Sequence, residues 1–261
     1  MLNLNQIKGY FPEYIRENQF LAKYMYKEYV QVLILDYLSS SKWIKRLEFI
    51  GGTNLRLVKG IDRFSEDLDF DCKEFTTEEF KELSEDVLKH LKRFGFNVEI
   101  KEKESMKLNA YSSSYYFPGL LYKLGLSQHQ DERFLIKLEC QDQKFKYKPK
   151  TSKIRAFGYY ISIREPYDDI LCAMKINALI TRKKGRDFYD VMFLLIRTKP
   201  DFKFLSYKQG INNAKELRSN LIRIFENVNI NNKVRDFEHL VFDKNNCKKI
   251  LKFKDFISEL K

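Results

Sequence analysis

GGTNLRLVKGIDRFSEDLDFDC, residues 51–72, is the stretch from which the rest of the chain can be placed. A glycine turn and a helix start stand just ahead of a strand bearing three alternate carboxylates, Asp67, Asp69 and Asp71. Side chains at i and i+2 of a strand share a face, so Asp67 and Asp69 point at one site while Leu68 and Phe70 enter the core. Two hard oxygen donors at that separation suit Mg²⁺, which takes one or two protein carboxylates and completes its octahedron with water and substrate phosphates. Gly51-Gly52-Thr53 supplies the other half: glycine lets backbone N–H groups approach phosphate oxygens, the helix start favours anions, and Thr53 adds a hydroxyl. Ser65 stands two residues ahead of Asp67. Alternating acids are also what a solvated sheet face presents, and a G-G-T turn alone is a weak signal. The two elements together at this spacing favour a metal and phosphate site.

Outward from this stretch, LEFIGG reads as a short buried strand ending in glycines, and TNLRLVKG as a helix capped by Thr53 and stopped at Gly60. Residues 10–48 have helical spacing, and residues 76–94 read as a helix opened by Thr77. FNVEIKEKE, SSYYFPGLLYKL, RFLIKLECQ and IRAFGYYISI read as strands, with the second half of the sheet antiparallel. From Pro166 the texture becomes helical: PYDDILCAMKINALITRKK, GRDFYDVMFLLI, then three more helices between residues 207 and 260. The expected class is α/β (α+β), with a mixed, largely antiparallel sheet and helices on one side. Residues 1–165 would form the core with its N-terminal helices, and residues 166–261 a helical region closing a nucleotide cleft.

A second group of residues fits the same chemistry. Lys175 and Arg182 are seven apart, two turns along one helix face, so one face presents two cations. Lys175 would sit against the β- and γ-phosphates and offset charge developing on a leaving pyrophosphate. Asp187 and Asp190 share the next helix face; Asp190 could pair with Arg186 at i, i+4, or orient Lys175. In RFLIKLECQ the inward alternation of Phe134, Ile136, Leu138 and Cys140 leaves Lys137 and Glu139 on the opposite face. Glu139 is therefore the candidate third carboxylate, as metal ligand or general base, and a Lys–Glu ion pair explains the same pattern.

These residues resemble the AbiEii/AbiGii toxin family of nucleotidyltransferases, of the polymerase-β-like superfamily and of type IV toxin–antitoxin and abortive-infection systems. The first family signature is similar to Gly51-Gly52-Thr53-Asn54-Leu55-Arg56 with Arg63-Phe64-Ser65-Glu66-Asp67-Leu68-Asp69. The second block is similar to Lys175 and Arg182 followed by Arg186, Asp187 and Asp190. The resemblance spans roughly residues 45–195. It implies a polymerase-β-like core, with Asp67, Asp69, Lys175 and Asp190 catalytic, Asp67 and Asp69 on Mg²⁺, and Gly51, Gly52, Thr53, Ser65, Lys175 and Arg182 on the nucleotide. It also implies a nucleoside triphosphate donor and a separately encoded antitoxin.

Composition bounds the partners. With 44% apolar and 15% aromatic residues the chain has the means to fold by itself. No run of about eighteen apolar residues occurs and the first twenty residues lack a signal core, so a cytoplasmic, membrane-free protein is expected. Cys72, Cys140, Cys172 and Cys247 form no C-x-x-C pair, which speaks against zinc and a disulfide framework. The net charge of +12 is uneven, −1 over residues 1–140 and +13 over residues 141–261. A cationic half fits a polyanion such as tRNA, although lysine-rich composition alone produces the same bias. Tyr159, Tyr160 and Tyr167 near that half are candidate base-stacking residues, and more often such rings are core. Together with the basic half, the family resemblance implies nucleotide transfer from a triphosphate to an acceptor hydroxyl at the tRNA 3′ end, blocking translation. A protein or small-molecule acceptor, or a non-catalytic nucleotide- or RNA-binding module, are the competing readings.

Overall fold

The computed structural model describes residues 1–105 and 110–259. The chain divides into two compact units. The first comprises Met1–Gly60, Phe64–Lys144 and Pro149–Glu165; the second comprises Ile61–Arg63, Phe145–Lys148 and Pro166–Lys261. No helix among the described residues is long and apolar enough to cross a membrane.

The first unit opens with α1 (Leu4–Lys8), α2 (Glu13–Arg16) and the long α3 (Ala22–Ser40). Then come β1 (Leu47–Ile50), α4 (Gly51–Leu57), β2 (Asp67–Cys72), α5 (Thr77–Arg93), β3 (Glu99–Ser105) and β4 (Ala110–Tyr116). The short α6 (Leu120–Lys123), β5 (Leu135–Gln141), β6 (Lys150–Ala156) and β7 (Tyr159–Glu165) complete it. Five strands form one sheet in the order β1-β2-β5-β4-β3, with β2 and β5 parallel and every other pair antiparallel, while β6 and β7 form a separate hairpin. The mixed, mainly antiparallel α/β class expected from the sequence is what the chain adopts.

The register shows why the strand residues alternate as they do. Leu47 opposes Cys72, Phe49 opposes Phe70, Phe70 opposes Cys140 and Leu68 opposes Leu138, so one face is continuous and apolar. Tyr115 and Ser113 of β4 extend that face, and α5 covers it there: Tyr115 donates to the Ser84 carbonyl at 3.2 Å, and the Ser84 and Ser113 hydroxyls meet at 2.7 Å. The opposite face carries Glu48, Asp67, Asp69, Asp71 and Glu139. On α3, Glu28 accepts two hydrogen bonds from Arg56 of α4, at 2.7 and 3.1 Å, which fixes the short helix after β1.

Three local expectations change. Helix α4 begins at Gly51, not after a Thr53 cap, and ends at Leu57, ahead of Gly60. Thr53 is fully buried and its hydroxyl donates to the Asp67 carbonyl, a partner in space that no local pattern announces. SSYYFPGLLYKL does not continue as a strand: β4 ends at Tyr116, Gly119 takes a positive φ of 62°, and α6 follows. Helix α5 is capped by Thr76, with Glu79 completing a reciprocal capping box, so the cap lies one residue earlier than expected.

The second unit contains α7 (Asp168–Arg182), α8 (Gly185–Leu195), α9 (Phe202–Gln209), α10 (Ala214–Glu226), α11 (Ile230–Arg235), α12 (Lys244–Cys247) and α13 (Phe253–Glu259). Five helices therefore follow α8 among the described residues, where three were expected. Asp201, Asn213, Asn229 and Asp243 each accept from a backbone N–H two or three residues on, and each starts a new helix. Phe188, Phe225 and Phe253 form the aromatic centre of this unit. Phe145 lies against Phe204 with centroids 5.1 Å apart, which explains why residues 145–148 join this unit.

Candidate active site

In the first unit, Asp67 and Asp69 are half-buried on the polar face of β2. Asp69 pairs in register with Ile50, the last residue of β1, so the turn into α4 passes directly over its carboxylate. Gly51 has a φ of +80°, and a Cβ on it would stand 1.9 Å from Asp69 Oδ2. Only glycine satisfies both the left-handed backbone and this close approach. Asp67 is held from behind, because the buried Thr53 hydroxyl grips its carbonyl and ties β2 to α4. Ser65 is 7% exposed and its carbonyl accepts from Gln31 Nε2 at 3.1 Å, which fixes the approach to the strand.

The third acid of the row is placed differently. Asp71 is 1% exposed, sits opposite Glu48, and accepts from the Gln143 backbone N–H at 2.9 Å. Glu48 is equally buried and binds Lys73 and Arg164 at 3.2 Å each. Burial rises along β2 from Asp67 to Asp71, so the two accessible carboxylates are the first two. Glu139 opposes Asp69 across the parallel β2–β5 pair and is ion-paired with Lys137 of its own strand. Among the described residues, no three His, Cys, Asp or Glu side chains come together as a metal-holding group.

The polar face fits a divalent cation of the hard type on two observations: the donor pair is two carboxylates on alternate strand residues, and Asp69 is seated in a cradle that any Cβ at position 51 would fill. A substitution measures that cradle. Gly51→Ala is expected to lower stability by about 1–2 kcal/mol through the left-handed backbone. Pushing the Asp69 carboxylate aside is expected to lower turnover by about 100-fold. Thermal melting and steady-state kinetics on the same preparation check both; unchanged turnover would remove the cradle from the site.

In the second unit, Lys175, Asp190 and Arg63 form a buried ion network. Asp190 accepts from Arg63 Nε and NH2 at 2.7 Å each and pairs with Lys175 Nζ at 2.9 Å. The side chains of Asp190, Arg63 and Lys175 are 0%, 1% and 6% exposed. Burial pushes the Asp190 carboxyl up, but the charges and hydrogen bonds of Arg63 and Lys175 outweigh it and hold the group below the ordinary aspartate range. The i, i+4 partner Arg186 is not among its contacts. Arg182 instead pairs with Asp187 through Nε and NH2, at 2.9 and 2.7 Å, while its side chain stays 42% exposed.

Arg63 has a role that its local sequence does not announce. It stands ahead of the acids in the first signature and reaches Asp190, 127 residues away. Its neighbour Asp62 accepts from the Tyr189 hydroxyl at 2.6 Å and from Asn246 Nδ2 at 2.7 Å. Arginine fixed beside an acidic motif was the available signal, but nothing local identified its distant carboxylate.

The family model described as nucleotidyl transferase AbiEii toxin, type IV TA system, matches residues 33–155. That segment is similar to the AbiEii nucleotidyltransferase toxins. The AbiEii match runs from within α3 into β6, and so contains Gly51, Asp67, Asp69 and Glu139. Solved structures share the fold beyond it. MenT4, a nucleotidyltransferase toxin from Mycobacterium tuberculosis, is similar at a TM-score of 0.58 and 15% identity, covering 100% of this chain and 91% of its own. JHP933 from Helicobacter pylori is similar at a TM-score of 0.56 and 18% identity, covering 91% of each chain. No curated protein matches the chain in sequence.

Proposed function

We propose that this nucleotidyltransferase is a toxin that moves a nucleotide from a nucleoside triphosphate to the 3′-terminal hydroxyl of tRNA, with Mg²⁺ on Asp67 and Asp69. The observation that carries the reading is the half-buried Asp67–Asp69 pair, with Asp69 seated on Gly51, inside the stretch that matches the AbiEii family. A bound Mg²⁺ would neutralise triphosphate oxygens and ease departure of pyrophosphate. Gly51 and Gly52 leave the backbone beside Asp69 open to phosphate oxygens. Thr53 and Ser65 act from behind, the first through the Asp67 carbonyl and the second through its place ahead of the strand.

The acceptor oxygen forms a bond to the α-phosphorus, the bond to the pyrophosphate oxygen breaks, and the acceptor proton passes to a base. Glu139, beside Asp69 in the register, is the proposed third carboxylate for that proton or for a second metal ion. Lys175 is the proposed phosphate cation on the strength of the second motif block. Asp190 and Arg63 would fix its ammonium in one position. Arg182, partly exposed though paired with Asp187, is the proposed second cation. The description of the family as type IV toxin–antitoxin supports a separately encoded antitoxin, and the +13 charge of residues 141–261 supports an RNA acceptor.

The test is incubation of the full chain with total tRNA, Mg²⁺ and each α-labelled nucleoside triphosphate in turn. Label is expected in tRNA, at its 3′ end, with one or two of the four nucleotides. Label appearing only in protein or in a small hydroxyl compound would overturn the tRNA reading while keeping the enzyme.

A further inference from the structure

The segment from Gln143 to Arg164 holds seven Lys or Arg residues and no Asp or Glu. Its second part is the β6–β7 hairpin. Inward, Ile154, Ile161 and Ile163 are buried, and Glu165 gathers Lys59 at 2.6 Å and Asn54 at 2.7 Å. Outward, the paired rows are Arg155 opposite Tyr160, Lys153 opposite Ser162, and Thr151 opposite Arg164. The outer rows carry cations, hydroxyls and one aromatic ring and no aliphatic side chain; at their base Arg164 is paired with the buried Glu48, which leaves Lys153 and Arg155 as the exposed cations.

The hairpin is rigidly presented. Phe157 and Gly158 make the turn, both with positive φ, 52° and 83°, as a two-residue turn between right-twisted strands requires. A phenylalanine is a costly choice there and is held by packing: its ring lies 5.2, 5.9 and 5.5 Å from those of Tyr10, Phe11 and Tyr29. Behind the exposed face, the tip is thus bolted to α3 and to the chain ahead of it.

On that face Tyr160 is 58% exposed, an unusual display for a ring on a sheet. Lys153 Nζ lies 5.2 Å and Arg155 Cζ 5.1 Å from its centroid, and both side chains are exposed. An aromatic platform flanked by two cations is what a nucleic-acid strand uses, one base stacking on the ring while adjacent phosphates meet the charges. An acidic protein would need apolar anchors that this face lacks.

We propose that the outer face of the β6–β7 hairpin is an RNA-binding surface, with a base on Tyr160 and the neighbouring phosphates on Lys153 and Arg155. It rests on the RNA-acceptor reading above and names the residues that would hold the acceptor. None of them belongs to the carboxylate site, so binding and transfer can fail separately.

The experiment is titration of fluorescently end-labelled total tRNA with the full chain over a range of salt, for the wild type and four variants. Lys153→Gln/Arg155→Gln is expected to weaken binding at least about 10-fold at low salt and to flatten the log–log salt slope by about 1.5, two phosphate contacts being lost. Tyr160→Ala is expected to weaken binding about 5- to 100-fold with the slope unchanged, and Tyr160→Phe to bind like the wild type. Asp69→Asn should bind tRNA as the wild type does. Equal melting temperatures would show that each variant is folded. Wild-type affinity and slope in the double variant would overturn the proposal, as would absence of tRNA binding by the wild type. Binding that depends on the hairpin without label transfer would leave this proposal standing and sink the tRNA-transfer reading instead.

Discussion

Asp69→Asn is expected to yield a folded chain that transfers nucleotide at least ~10³-fold more slowly than the wild type. The size of the loss follows from the role: a carboxylate that helps hold the metal ion contributes to charge stabilisation in the transition state, and an amide of the same shape does not. The absence of a stability cost follows from geometry. Asp67 and Asp69 share a face of one strand and repel each other, so neutralising one relieves that repulsion. Half-buried and on a polar face, the substituted side chain leaves no cavity. Asp67→Asn is expected to behave alike. The check is transfer rate and thermal melting on one preparation; a variant with wild-type transfer would remove these carboxylates from catalysis.

Asp190→Asn is expected to show the opposite signature. It removes the carboxylate charge that Arg63 and Lys175 share, and breaking a buried ion network by removing one partner costs about 3–5 kcal/mol. The melting temperature should fall on the order of 10 °C. The pH dependence has a definite sign. The carboxyl of Asp190 is held below its ordinary value of 3.8, so its stabilising contribution is fully present above that value and is lost as pH falls through the lower, folded-state value. The difference in stability between wild type and Asp190→Asn should therefore stay constant from neutral pH down to about 4 and narrow only below it. Denaturant unfolding at several pH values measures this; a difference that already shrinks between pH 7 and 5 would contradict the assignment of the ion pair.

Much of the carboxylate face could be read directly from the chain, because strand alternation is a local property. DLDFDC fixed which side chains share a face, and the inward row of RFLIKLECQ put Glu139 on the same side as Asp69 once the two strands paired. Long-range pairing was not legible. Nothing in the local pattern showed that β2 and β5 run parallel, that Thr53 turns its hydroxyl to the Asp67 carbonyl, or that Arg63 reaches Asp190. The glycine at position 51 was read as freedom for a phosphate; its closer constraint is the Asp69 carboxylate lying against it. The pattern of IRAFGYYISI shows strand but not its reversal, because the turn uses Phe157, a residue that seldom adopts positive φ and does so here through aromatic packing from α3. In the second unit, short helices after α8 were undercounted because their starts depend on single Asn and Asp caps, not on long apolar periodicity.

The central claim is that Asp67 and Asp69 together hold a divalent cation against a nucleoside triphosphate. Mn²⁺ is a suitable probe, since its electron paramagnetic resonance signal reports the free ion. Titration of the full chain with Mn²⁺, with and without a nucleoside triphosphate, should show one or two bound ions whose affinity rises when the triphosphate is present. In Asp67→Asn/Asp69→Asn that binding should fall at least about 100-fold while tRNA binding persists. Wild-type Mn²⁺ and triphosphate binding in the doubly substituted chain would contradict the account.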